Sequence, residues 1–162
     1  MSTQTPTPSR AAPNPLHGEL IYEYTARFTQ VTDYGVALAD VMSGTLPPPA
    51  EGVRCDVTFE GPVAGPTLRG TVSGTDYGHL RADGRAGLHI HGTITTDDGK
   101  NISLAADGVA SIDPESPAGQ LRENVTLTTS EPGYTWLNTI QIWATGSVEF
   151  ANGTLHVTAY AV

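Results

Sequence analysis

From Leu20 to Gln30 every second position is apolar or aromatic. Leu20, Tyr22, Tyr24, Ala26 and Phe28 share one parity, while Glu23, Thr25 and Arg27 take the other. A period of two predicts a half-buried β-strand. The pattern returns from Gly52 to Val63, with Val53, Cys55, Val57 and Phe59 set against Arg54, Asp56, Thr58 and Glu60. It returns again from Thr67 to Asp76, where Leu68, Val72 and Asp76 share a parity. Tyr34 to Leu46 reads as a weaker second strand, ended by Pro47, Pro48 and Pro49, which cannot donate to a ladder.

The stretch from Gly65 to Gly99 is a β-meander whose alternating segments are separated by Asp83-Gly84 and Asp98-Gly99, a strong hairpin signal. Two-residue turns at these dipeptides would set Gly78 opposite His89 and His91 opposite Ala106, so both histidines would share a face with Leu80, Ile102 and Leu104. The middle segment alone says the opposite, because Ala86, Leu88, Ile90 and Ile94 form its apolar parity. Either the histidines line a partly polar cavity and the apolar set packs on another layer or subunit, or a bulge shifts one register and the histidines are solvated.

Val109 to Gly119, with Asp113-Pro114-Glu115-Ser116-Pro117, reads as a loop. Gln120 to Thr129 then groups Leu121, Glu123, Val125 and Leu127, which makes Glu123 a second carboxylate on an apolar parity after Asp76. After the turn Glu131-Pro132-Gly133, Trp136 and Asn138 share a parity ahead of Ile140 and Ile142. Asn152-Gly153 joins Gly146 to Phe150 with Thr154 to Val162 as a type I′ hairpin signal. About eight to ten strands with short connections and no convincing helix predict an all-β fold, a single antiparallel up-and-down barrel with its lumen open at one end. A β-sandwich is the alternative topology.

Residues 1–16 are rich in Ser, Thr and Pro and predict a disordered tail; residues 17–162 are the barrel domain. Among 162 residues, 8 Lys+Arg stand against 17 Asp+Glu, a net charge of -9 without a basic patch, which argues against nucleic acid as a partner. The one cysteine, Cys55, excludes an internal disulfide and sits on a core parity. No apolar run spans a bilayer and no signal peptide is visible, so a cytoplasmic protein without membrane partners is expected. No glycine-rich phosphate loop precedes a helix, and no nucleotide or other cofactor is expected.

Asp76 and Glu123 are the candidate acid–base residues, because a carboxyl on an apolar face is costly unless paired or neutral, and such groups are commonly catalytic. A turn aspartate and a surface edge are the ordinary alternatives. His89 and His91 join them as residues that titrate near neutral pH. Tyr24, Tyr77, Trp136, Asn138 and Trp143 are the candidate ligand-binding residues, and quenching of tryptophan fluorescence by a lumenal ligand is expected through Trp136. His89-x-His91 also resembles half of a metal site, but the remaining ligands of such a set are absent from the sequence, and no metal is expected.

Four motifs carry a family resemblance. GPTLRGTVSGTDY from Gly65 to Tyr77, RADG from Arg81 to Gly84, TDDG from Thr96 to Gly99 and YTWLN from Tyr134 to Asn138 resemble the domain-of-unknown-function 3237 family. The resemblance implies a calycin-like, lipocalin- or allene-oxide-cyclase-like barrel, a group of lumenal ligand binders and cofactor-free cyclases and isomerases. It singles out Asp76, Tyr77, Trp136 and Asn138. It departs at Leu88-His89-Ile90-His91, where the family pattern has an acid and an arginine. The expectations are a cofactor-independent isomerase, cyclase or lyase acting on a small hydrophobic or aromatic molecule, or a non-catalytic binder of the same ligands. Homo-oligomerisation is expected if Leu88, Ile90 and Ile94 face outward.

Overall fold

The computed structural model describes residues 18–112 and 118–162. Eight strands, β1 (Glu19–Asp33), β2 (Val53–Ala64), β3 (Gly70–Leu80), β4 (Ala86–Thr96), β5 (Asn101–Ser111), β6 (Ala118–Thr128), β7 (Ile142–Glu149) and β8 (Thr154–Ala161), pair each with the next in sequence. β8 closes on β1, so the sheet is a closed antiparallel barrel and the sandwich alternative falls. The expected tail at 1–16 lies outside the described residues. So does the Asp113–Pro117 part of the expected loop, whose flanks are strand to Ser111 and again from Ala118.

Alternation holds around the barrel. Tyr22, Tyr24 and Ala26 on β1, Val53, Cys55, Val57, Phe59 and Val63 on β2, and Leu121, Glu123, Val125 and Leu127 on β6 are all buried. Each fully buried Ile, Leu or Val contributes about 1.5–3 kcal/mol by leaving water. Leu68 and Leu137, from connections at one end of the barrel, are fully buried in the same core and plug that end.

The meander register is where sequence and structure part. Arg81 and Arg85 face each other across Ala82, Asp83 and Gly84, with Arg81 N donating to Arg85 O at 2.8 Å and Gly84 N to Arg81 O at 2.9 Å. Thr96 and Lys100 enclose Asp97, Asp98 and Gly99 in the same way. Both turns therefore hold three residues, with the glycine in the left-handed region (φ 88° and 81°), where three-residue hairpin loops place it. Leu80 pairs with Ala86, and Thr95 with Asn101. One residue of register reverses every side chain on a strand. Ile90 and Ile94 are buried, Leu88 lines the interior, and His89 and His91 lie on the outer wall. With that apolar set turned inward, the argument for self-association through it is gone. Gly99→Ala, with no neighbouring atoms to obstruct a methyl but with a positive φ, should cost about 1–2 kcal/mol in urea unfolding.

Two further expectations are corrected. Residues 34–46 form no strand; they hold the short helix α1 (Leu38–Met42), started by Leu38 N donating to Asp33 Oδ1 at 2.9 Å. Leu38, Val41 and Met42 are spaced i, i+3, i+4, a helical stripe, and they pack on Val53, Cys55, Val57 and Leu80. The β7–β8 connection is a four-residue loop between Glu149 and Thr154, and Asn152 does not take the positive φ that a type I′ turn requires.

Candidate functional site

The barrel encloses a cavity of about 80 Å³ below α1. Its wall is apolar: Val57, Phe59, Ile90, Leu121 and Val148 are among the side chains that line it. Leu38 and Met42 of α1, with Phe28, Ile112 and Phe150, complete the lining. Two carboxyls break that surface, Asp76 from β3 and Glu123 from β6, together with the thiol of Cys55; His79, near the end of β3, borders the cavity from the outward parity, with its Nε2 3.2 Å from Glu51 O.

Glu123 reaches the lumen because inward parity on β6 carries it there between Leu121 and Val125. Its cross-strand neighbours are Gly108 on β5 and Ala144 on β7, too small to cover it. The residue is 3% exposed, and its Oε1 is buried with no hydrogen-bond partner. Burial, reinforced by the charge of Asp76, pushes its carboxyl up to about 7. At neutral pH it is therefore partly a neutral acid, able to donate as well as accept.

Asp76 pairs through its backbone with Val57 and Ile90, and its Oδ1 accepts the backbone N–H of His89 at 2.9 Å. Burial raises its carboxyl above the ordinary range, while that N–H, His89 and Arg54 hold the rise back. Arg54 approaches from the outer wall, where it pairs with Asp56 at 3.0 Å and donates to the carbonyl of Gly78. Two carboxyls in one apolar lumen thus have different surroundings: one keeps a donor aimed at its ionised form and the other has none. Such a difference separates an acid from a base.

Cys55 stands opposite Gly78, and burial with the nearby charge of Asp76 pushes its thiol up to about 11, so it is a neutral thiol. Tyr22 and Tyr24 are buried on β1, stacked at 6.1 Å, and burial together with Glu123 raises both phenols, keeping them neutral.

Of the nine sequence candidates, the structure brings Asp76, Glu123 and Tyr24 to the interior. His89 and His91 are outside, their rings 4.9 Å apart in an edge-to-face pair with Tyr77 at 6.3 Å from each. This pair is linked to the lumen through His89, whose backbone N–H and ring charge both act on Asp76. Trp143 is outside as well, opposite Tyr160. Trp136 lies in a 3-10 turn (Thr135–Thr139) and donates Nε1–H to Gly133 O at 3.1 Å. Asn138 uses both ends of its amide on the Thr129 backbone, at 2.8 Å each. Strand parity does not apply to a 3-10 turn, which is why these last two are displaced from the interior. Neither tryptophan lines the cavity, so quenching by a lumenal ligand has no direct reporter.

Sequence reasoning missed the cover of the cavity, Leu38 and Met42; the i, i+3, i+4 spacing was the available signal. It also missed that Gly78 leaves room between Cys55 and Asp76. No group of three or more His, Cys, Asp and Glu among the described residues could hold a metal ion. No helix of the described residues is long and apolar enough to cross a membrane.

A protein with unknown function from Clostridium acetobutylicum shares the fold at a TM-score of 0.74, with 21% identity over 90% of this chain and 97% of that one. A beta-barrel like protein from Acinetobacter baumannii matches at 0.69, with 21% identity over 94% and 99%. An enzyme from Penicillium herquei matches at 0.59, with 23% identity over 93% and 99%. No curated protein matches the sequence. Residues 36–162 match the model of the family described as "Protein of unknown function (DUF3237)", the one the four motifs resemble, and the chain belongs to that family.

Proposed function

We propose that the barrel is a cofactor-independent acid–base enzyme of the isomerase, cyclase or lyase type, acting on a small, largely apolar molecule held below α1. The observation that carries this reading is Glu123: a carboxyl with a buried, unpartnered oxygen that lines the same apolar cavity as a second carboxyl. A buried polar atom without a partner costs about 1–3 kcal/mol, and a ligand that supplies the partner recovers it. The description of the Penicillium herquei neighbour as an enzyme is consistent with catalysis on this fold.

Asp76, with the His89 N–H favouring its ionised form, is the base, and Glu123 is the acid. Asp76 removes a proton from the ligand while Glu123 delivers its own to the atom where negative charge develops. The pair then holds the same total of protons, exchanged between the two sites. Returning them at different ligand positions isomerises or closes the substrate, and the apolar wall keeps water from competing. The His89 and His91 rings, outside the barrel, exchange no proton with the ligand in this scheme.

Incubating neutral ring-containing compounds of polyketide-, terpenoid- and phenol-like type with the protein in D2O tests the reading. Protein-dependent deuterium incorporation into ligand C–H positions, or turnover, is expected, and His91→Ala should leave its rate and pH profile unchanged. Binding without exchange or turnover across the panel would make the protein a non-catalytic small-molecule binder.

A further inference from the structure

The lining of the cavity constrains the chemistry of its occupant further, on the basis of the acid–base reading above. Among the described residues it contains no Lys, Arg, Ser, Thr, Asn or Gln. Its one histidine, His79, lies off the inward parity of Asp76, Gly78 and Leu80 with its Nε2 3.2 Å from the backbone oxygen of Glu51, so no basic, hydroxyl or amide side chain is aimed inward to hold an anion. A carboxylate or phosphate would enter beside two carboxyls with nothing to compensate it. An ammonium needs three acceptors, and the lining offers the two carboxyls, one of them already receiving the His89 N–H. A carbonyl oxygen needs one donor. In its protonated form the Glu123 carboxyl is the donor deep in this wall, and its Oε1 is the buried atom without a partner.

Volume adds a second constraint. About 80 Å³ is roughly half the volume of a cavity that holds a benzene ring. The enclosed part takes a functional group and a few carbons. Anything larger must lie along the apolar cover of Leu38, Met42, Ile112 and Phe150.

We propose that the lumen binds neutral carbonyl compounds head first, with the carbonyl oxygen accepting a hydrogen bond from the Glu123 carboxyl, the first carbons beside Gly78 and Cys55, and an apolar tail under α1. Ionisation of Glu123 removes the donor, so the ketone-binding form is the protonated one. The titratable groups around it are Asp76 on β3, Cys55 on β2, and Tyr22 and Tyr24 on β1, with His79 at the cavity's border, its ring against Glu51 O; β5, β7 and β8 contribute none to the cavity lining. Tyr22, Tyr24 and Cys55 stay neutral through the range in which Glu123 titrates.

Three compounds of matched shape separate the possibilities: benzylacetone, which is neutral; hydrocinnamate, its anionic counterpart; and the primary amine obtained by replacing the ketone. Calorimetry at several pH values should show benzylacetone binding, with affinity falling about tenfold per pH unit above about 7 as Glu123 ionises. Hydrocinnamate and the amine should each bind at least about tenfold more weakly. The carbonyl infrared band of bound benzylacetone should move to lower frequency.

Glu123→Gln keeps a donor and should bind the ketone without the pH dependence, while Glu123→Leu should lose it. Gly78→Ala would place a methyl in ordinary contact with Cys55 Sγ at 3.4 Å and Asp76 Oδ2 at 3.6 Å, so the fold tolerates it, and it should weaken benzylacetone by filling the head position. The inference is overturned if the amine binds more tightly than the ketone, if ketone binding is independent of pH, if Glu123→Leu, shown to be folded, binds it as well as the parent does, or if benzylacetone does not bind. Its failure is distinct from that of the acid–base reading. Deuterium exchange that depends on Asp76 with another ligand would leave that reading standing, and ketone binding with the stated pH dependence but no exchange would leave this one.

Discussion

Between pH 4.5 and 7 the folded protein should lose about 3 kcal/mol of stability, and Glu123→Gln should remove most of that loss. The Glu123 carboxyl titrates near 4.5 in the unfolded chain and is pushed up to about 7 in the folded one, so across this window the folded state keeps a proton that the unfolded state gives up. The contribution is fully present below pH 4.5, falls as pH rises, and is gone above about 7. Asp76, raised by burial as well, adds to the slope with the same sign. Glutamine has the shape of the neutral acid and cannot ionise. Parent and variant should therefore unfold at similar urea concentrations at pH 4, with the variant ahead by an increasing margin up to pH 8. A parent midpoint that is flat from pH 4.5 to 7 would mean that Glu123 ionises freely and that the lumen is wetter than its wall implies.

Asp76→Asn should slow turnover about 10²- to 10⁴-fold while leaving the protein folded, the range that a positioned acid or base contributes. Asparagine keeps an oxygen to accept the His89 N–H, so the link that Asp76 Oδ1 makes to β4 at 2.9 Å survives and the titrating group alone is lost. The measurement is the rate of deuterium incorporation or product formation with a compound from the panel, alongside a circular-dichroism spectrum to establish the fold. With turnover intact in the variant, Asp76 is a structural residue joining β3 to β4, and Glu123 alone carries the chemistry of the lumen.

Much of the site was legible because a barrel strand obeys a strict rule of two. Asp76 falls on the parity of Leu68 and Val72, and Glu123 on that of Leu121 and Val125, so closing the sheet had to turn both carboxyls inward. Tyr24 followed Tyr22 and Ala26 by the same rule. What failed was inference across a turn. Asp83-Gly84 and Asp98-Gly99 suit two-residue and three-residue loops equally in composition, and the difference of one residue exchanges the faces of Leu88 and His89. The apolar run Leu88, Ile90 and Ile94 carried the better information, because burying it is worth several kcal/mol and a turn dipeptide decides far less.

The sequence alone determined the all-β class, the inward parity of most strands and the two carboxyls that it directs into the core. Those follow from local periodicity, which every residue of a strand reports independently. The tertiary structure decided the rest: the three-residue turns that send His89 and His91 outside, the helix at Leu38–Met42 that covers the cavity, and the 3-10 turn that removes Trp136 and Asn138 from it. It also decided that the Glu123 oxygen would have no partner. Each of these depends on which side chains meet across strands distant in sequence, where closure of the barrel, rather than local preference, sets the neighbours.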